Sequence, residues 1–195
     1  MFRENIISRN KAAVTYTIIA ILALFLLIQN IGQAGELDQQ LIGAAKIGDL
    51  NQIKALIAKG AVVNSADRAG NTPLICAAKF GHIECVRALV ERGAFINSQC
   101  IKKCAPLMWA ADNGHTEIVK VLIDNGATLN AKDFYGWTAL MKAVYRGHVE
   151  IVQALVENRA NVNVKNYGGN TSLHIAELKA QPEILRLLEE AGAIK

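Results

Sequence analysis

The feature that most constrains this chain is a phrase of 17 residues that recurs at a step of 33 residues. It occupies residues 81–97, and close copies occupy residues 114–130 and 147–163. A weaker copy covers residues 48–64, and a truncated copy covers residues 180–193. Self-similarity at a fixed step of this length is typical of repeat proteins, in which each repeat packs on its neighbours. The step therefore predicts a solenoid.

Each unit of 33 residues predicts two short helices. Thr72, Thr138 and Thr171 precede apolar runs, where a threonine hydroxyl can accept a hydrogen bond from an unpaired N–H at a helix start. Apolar residues three and four apart give the second helix one apolar face. Glycines end both helices, as residues in the left-handed conformation do. Arg159 stands at one of these glycine positions, which should cost about 1 kcal/mol.

The unit that begins at Asp67 reads DRAGNTPLICAAKFGHIECVRALVERGAFIN, and it resembles an ankyrin repeat. The first copy lacks its leading hairpin and the last copy ends after its second helix, as terminal caps do. The resemblance implies an all-α repeat solenoid of about five stacked helix-turn-helix units with β-hairpin loops. The repeat domain is predicted over residues 35–195, with units at residues 38–66, 67–99, 100–132, 133–165 and 166–195.

Residues 1–34 are predicted to direct export of the chain across a membrane. Basic residues precede an almost entirely apolar stretch over residues 12–31, and small residues lead to a cleavage position after Ala34. Two interpretations stay open. The segment is either a cleaved signal peptide or an uncleaved hydrophobic helix that anchors the chain in the inner membrane. In both, the charge pattern places the repeats outside the cytoplasm, with membrane contact only through residues 12–31. On the resemblance alone, such a segment before ankyrin repeats indicates a bacterial, periplasmic or membrane-anchored protein.

The charge balance argues against a nucleic-acid partner. From Gly35 onward, Lys and Arg outnumber Asp and Glu by two. A nucleic-acid-binding protein of this kind needs a larger basic excess. The sequence pI of about 8.9 therefore says little about partners.

Three histidines recur with the repeat, and each stands two residues before a glutamate. His82, His115 and His148 thereby form H-x-E patterns. Zinc deaminases carry such a pattern together with P-C-x-x-C, which the chain lacks. Equivalent residues of stacked helices should lie about 8–10 Å apart, whereas zinc ligands lie about 2 Å from the metal. We therefore predict no metal or cofactor, and expect the histidines to close the start of the second helix.

Two of the four cysteines interrupt the hairpin of the third unit. Cys100 and Cys104 stand in the run CIKKCAP, which has also lost the turn glycine and the capping threonine. Lys103 replaces that glycine at a position expected to have positive φ, and Ala105 cannot cap. In an oxidising compartment a Cys100–Cys104 disulfide could restrain the turn, but free thiols and a redox role also stay open. Cys76 and Cys85, which are not in this hairpin, are expected in the core.

Aromatic and basic residues gather at the hairpins and at the ends of the first helices. By resemblance, these positions match the variable contact positions of ankyrin repeats, and aromatic and arginine side chains are enriched in binding hot spots. Packing between adjacent hairpins is the alternative for Phe134 and Trp137. Trp109, within a first helix, is expected in the core. The predicted partner-binding residues are Arg68, Lys102, Phe134, Tyr135, Trp137, Tyr145, Arg146 and Tyr167.

The resemblance implies a non-enzymatic module that binds a partner protein on a concave face of hairpins and first helices. We expect a monomer. The alternative is a thiol-based periplasmic redox or protective factor that uses Cys100 and Cys104. The chain has no glycine-rich phosphate loop, nucleophile elbow or acid pair placed by a motif, so the sequence does not predict an enzyme.

Overall fold

The computed structural model of the protein describes residues 35–194. The predicted export segment lies outside the described residues, so its cleaved and anchored forms both stay predictions. Residues 35–194 form helices joined by turns, with no β-strand among them. None of the helices in this range has both the length and the apolar character that a membrane crossing requires.

Ten helices follow one another in the described part of the chain. They are α1 (residues 35–47), α2 (Leu50–Ala58), α3 (Pro73–Phe80), α4 (Ile83–Glu91), α5 (Pro106–Asp112), α6 (Thr116–Asp124), α7 (Ala139–Arg146), α8 (Val149–Glu157), α9 (Ser172–Leu178) and α10 (Pro182–Glu190). Helices α3, α5, α7 and α9 pack against one another in sequence, and the even-numbered helices form a second row. The chain is therefore an α-helical repeat solenoid with first helices and second helices in separate rows.

The first helices begin where the capping threonines predict. The hydroxyl oxygen of Thr72 accepts a hydrogen bond from the backbone N–H of Ile75 at 3.3 Å, and Thr138 makes the equivalent bond. In the third unit Ala105 holds this position and makes no side-chain cap, as predicted. Helix α5 therefore lacks an interaction that contributes about 1 kcal/mol at a typical helix start.

Among residues 35–194, three residues other than glycine have positive φ, each at a position where the other units have glycine. The angles are 58° for Lys103, 65° for Arg159 and 51° for Ala180. The expectations for Lys103 and Arg159 are confirmed. The left-handed conformation costs an L-residue roughly 1–2 kcal/mol, so these three turns hold local strain that the stacked units must offset.

The first helices pack closely because one of their positions is always alanine. The five alanines are almost completely buried, and a methyl group lets neighbouring helix backbones approach each other. Larger apolar side chains of both helices, such as Leu74, Ile75 and Leu89, fill the space between the rows. The alanines are Ala44, Ala77, Ala110, Ala143 and Ala176.

The repeating histidines join neighbouring units. The Nε2 atom of His82 lies 3.0 Å from the carbonyl oxygen of Lys46, 36 residues earlier, and His115 and His148 make the same bond at 3.2 and 3.3 Å. Because a carbonyl oxygen can only accept, Nε2 carries the proton in each ring. The three residues precede α4, α6 and α8, but their side chains make no capping bond. The expectation that they close their own helices is therefore wrong.

The asparagine that ends each phrase makes a second connection between units. The Oδ1 atom of Asn97 accepts a hydrogen bond from the backbone N–H of Thr128 at 2.8 Å, and its Nδ2 donates to the carbonyl of Gly126 at 3.1 Å. Asn64 and Asn163 repeat both bonds in their own units. One side chain thus satisfies two backbone groups of the next unit.

The close packing of histidine on glycine gives a test that needs only two variants. Gly81 and Gly93 have φ of 82° and 80°, but an added Cβ would lie 2.7 Å from His115 at Gly81 and would meet nothing within 4 Å at Gly93. Gly93→Ala should lower the free energy of unfolding by about 1 kcal/mol, for backbone strain alone. Gly81→Ala should lower it by a further 1–3 kcal/mol or so, because the ring must move. Urea unfolding measures both; equal losses would contradict the packing role.

Candidate functional site

The hairpins that join the units are turns of five residues, at 67–71, 100–104, 133–137 and 166–170. In each, the first backbone N–H donates to the last carbonyl, at 2.9–3.2 Å. The predicted β-hairpin loops are thus turns without strands, because each turn has a single such pair.

Each hairpin is also bonded to the hairpin before it. One backbone N–H donates to one carbonyl at each step, and this keeps the turns in register along the solenoid. Register places Tyr135 of the fourth unit next to Tyr167 of the fifth. The bonds run from Ile101 to Ala69 (2.9 Å), from Phe134 to Lys102 (3.0 Å) and from Tyr167 to Tyr135 (3.2 Å).

Asp133 holds the fourth hairpin in shape. Its side chain is only 4% exposed. One oxygen accepts hydrogen bonds from the backbone N–H groups of Tyr135 and Trp137, both at 2.9 Å. The other oxygen lies 2.9 Å from the ammonium nitrogen of Lys142, itself largely buried. A buried carboxylate needs such partners, and here they fix the backbone of two aromatic residues within the turn.

A groove of about 290 Å³ lies between this hairpin and the ends of α5 and α7. Tyr145 packs edge to face on Trp137, with ring centroids 5.5 Å apart. This geometry is favoured for aromatic pairs. The groove is therefore lined by both aromatic and charged side chains. Its lining residues are Asp112, Asp133, Tyr135, Trp137, Lys142, Tyr145 and Arg146.

A second ion pair lines the groove, and a third cation lies beside it. The Nε atom of Arg146 donates to Asp112 at 2.7 Å, and this hydrogen bond raises the pKa of the guanidinium above its usual value. The ammonium of Lys179 lies 4.0 Å from the ring centroid of Tyr145, within cation–π range. The Tyr145 ring thus lies between hairpin aromatics and basic side chains.

A model of the family described as ankyrin repeats (3 copies) matches residues 41–133 and 107–195, which is more than half of the chain. The chain belongs to the ankyrin repeat family. No curated protein matches the chain in a sequence comparison. Ankyrin repeats are protein–protein interaction modules and are generally not enzymes, and they imply protein partners of unspecified identity. The groove is therefore a candidate contact surface of an ankyrin repeat domain.

The ankyrin repeat stack brings half of the predicted contact residues into the groove. Tyr135, Trp137, Tyr145 and Arg146 line it. Phe134 and Tyr167 lie beside it as exposed rings, with the Phe134 ring edge to face on Tyr135 at 5.5 Å. Lys102 and Arg68 are exposed on the two preceding hairpins and do not line the groove. That these eight residues bind a partner stays a prediction.

Four residues of this surface were not found from the sequence. Lys142 replaces a residue that is apolar in the neighbouring ankyrin units, and this charge at a core position could have marked it. Asp133 reads as an ordinary turn residue, and only its burial shows how it supports the aromatics. Asp112 and Lys179 stand at positions of variable residue type. Asp112 contacts Arg146 of the next unit, and Lys179 contacts Tyr145 of the unit before it. No nearby sequence pattern predicts either contact.

The sequence predicts Trp109 in the core, but the structure places it only partly there. Its side chain is partly buried, and the ammonium of Lys79 lies 4.4 Å from its ring centroid. It stands at the position of Lys142 one unit earlier. The first helices of an ankyrin stack have one face open to solvent, so a large ring there is covered only on one side.

All four cysteines are buried. Cys76 and Cys85 lie in the core, as predicted. The thiol of Cys104 lies 3.7 Å from the carbonyl oxygen of Lys102, and burial raises its pKa to about 11. A thiol that is rarely ionised at neutral pH is a poor nucleophile, which weighs against rapid redox cycling. A Cys100–Cys104 disulfide and the redox alternative stay predictions.

Alkylation tests this protection. With iodoacetamide at neutral pH, Cys76 and Cys104 should react far more slowly in the folded protein than in urea, since burial raises the pKa of each to about 11. Reaction should quicken as the pH rises towards that value. Intact mass before and after urea counts the modified thiols, and a mass lower by two hydrogens without reductant would reveal the bridge. Equal alkylation rates with and without urea would contradict the buried, protonated thiols.

Proposed function

We propose that this ankyrin repeat chain binds a partner protein on the surface formed by the hairpins at 100–104, 133–137 and 166–170 together with α5, α7 and α9. We call this surface, together with the residues that directly flank it (100–113, 132–146 and 165–179 in all), the hairpin face; it corresponds to the concave face that the family resemblance implies. The chain acts as an interaction module and catalyses no reaction.

The observation that carries this proposal is a group of exposed aromatic rings on consecutive hairpins. Phe134, Tyr135 and Tyr167 are 62%, 64% and 71% exposed. Single exposed apolar residues are ordinary, but contiguous ones next to a groove mark interaction sites. Packing on adjacent hairpins leaves most of each ring in water, so a partner that covered the rings would remove a large apolar area from water.

The hairpin face also requires little ordering when a partner binds. Each turn is closed by its own backbone bond and joined to the previous turn by another. Asp133 fixes the backbone on both sides of Tyr135. Preformed surfaces lose less conformational entropy on association, which supports affinity without a large contact area.

Photo-crosslinking tests the location of the contact. A benzophenone amino acid at Tyr135 should form an adduct with a partner protein in cells that make the chain. The matched control carries the same group at Phe95, a residue of similar exposure on a loop after a second helix. This control should form no adduct with the partner. Tyr135→Ala with Tyr167→Ala should weaken binding of that partner about 10-fold or more, as for hot-spot aromatics. Adducts only at Phe95 would overturn the proposal.

We further propose that the repeats act outside the cytoplasm. The support is the N-terminal sequence, in which Arg9 and Lys11 precede the apolar stretch and Glu36 and Asp38 follow it. Positive charge is retained on the cytoplasmic side of such segments.

A reporter fusion tests this placement. A reporter that is active only outside the cytoplasm, fused after residue 195, should be active. Arg9→Glu with Lys11→Glu should reduce its activity, because the variant loses the charge difference across the segment. As a control, Lys120→Glu, on the second helix α6, should change nothing. Unchanged activity in the first variant would argue against the assigned orientation.

A further inference from the structure

The small net charge of the repeats conceals a separation of charge between the two rows of helices. The second helices α4, α6, α8 and α10 hold nine acidic and three basic residues. The hairpins and first helices of the last three units, residues 100–113, 132–146 and 165–179, hold seven basic and three acidic residues. The hairpin face is therefore basic while the second row is acidic.

Most of the basic side chains on the hairpin face lack an acidic partner. Arg146 and Lys142 pair with Asp112 and Asp133. The other five are exposed, and none of them forms an ion pair with a carboxylate of residues 35–194. These five are Lys102, Lys103, Lys132, Lys165 and Lys179.

Two of the unpaired lysines, Lys132 and Lys179, lie beside aromatic rings. The ammonium of Lys132 lies 5.8 Å from the ring centroid of Tyr167 and donates to the carbonyl of Lys165 at 2.8 Å. Lys179 lies over Tyr145. Lysine side chains bury their stems against such rings and keep their charge accessible. The face thus combines apolar contact area with accessible positive charge.

We infer that the hairpin face recognises an acidic segment of a polypeptide. This rests on the proposed function and states the chemistry of its partner. Carboxylates of the segment would meet the unpaired lysines, while its apolar side chains cover the rings of Tyr135 and Tyr167. Opposite potentials on two partners raise the association rate and exclude partners of the wrong charge. From Gly35 onward basic residues outnumber acidic ones by only two, which makes nucleic acid the less suitable ligand.

Selection of peptides on the full chain tests the inference. The probe is a random peptide library displayed on phage, with selected peptides then synthesised and measured by fluorescence anisotropy. Peptides that bind the hairpin face should be rich in Asp and Glu, and should lose binding to the variant with Tyr135→Ala and Tyr167→Ala. Their Kd should rise about 10-fold when salt increases from roughly 0.05 to 0.3 M, since screening shortens the range of the charges.

Charge variants supply the matched control. Lys102→Glu with Lys179→Glu should raise the Kd of the acidic peptides about 10-fold or more, and Lys102→Gln with Lys179→Gln by less. Arg87→Glu with Lys120→Glu, the same change on the second row, should leave the Kd within about 2-fold because those residues are remote from the face. Circular dichroism checks that each variant is folded. Equal effects of the two charge reversals would overturn the inference.

The outcomes separate the inference from the proposed function. Peptides that need Tyr135 and Tyr167 but carry no acidic excess would leave the proposed function standing and overturn the inference. Selected peptides that are all indifferent to Tyr135 and Tyr167 would overturn both. A labelled single-stranded DNA that binds more tightly than the acidic peptides, with the same dependence on Lys102 and Lys179, would replace the inference with nucleic-acid binding.

Discussion

Bonds that cross from one unit to the next hold this structure together. A single unit has two short helices, which cannot bury their apolar faces alone. The ring of each repeating histidine bonds to a carbonyl 36 residues back, and each asparagine that ends a phrase bonds to an N–H 31 residues ahead. The hairpins add one backbone bond per step. Because all three connections link neighbouring units, every unit is positioned by the one beside it.

The same connections explain how the stack accommodates imperfect units. The third unit lacks a cap on its first helix and has Lys103 where the turn suits glycine, while Arg159 and Ala180 occupy two other glycine positions. Each departure costs on the order of 1 kcal/mol or more. The apolar core runs through all of these units, and its shared burial offsets the local strain.

The surface chemistry follows from the separation of the two rows of helices. A residue in a first helix and a residue in a second helix belong to opposite sides of the stack, even when they are few positions apart in the chain. Acidic residues therefore collect on one side and lysines on the other without any large net charge. The aromatic residues of consecutive hairpins come to lie on one side in the same manner. The ion pairs of Asp112 and Asp133 lie in the groove beside these aromatic residues.

The repeat step alone determined the fold class, the order of the helices, their threonine caps and the strained turns at Lys103 and Arg159, because these depend on short-range backbone preferences that recur at a fixed period. It also located the aromatic hairpin residues. What only the tertiary structure decided is which side chains meet across units. The histidine bonds, the burial of Asp133, the open face of Trp109 and the pairing of Arg146 with Asp112 depend on distances between residues about 30 positions apart, and sequence spacing does not report such distances.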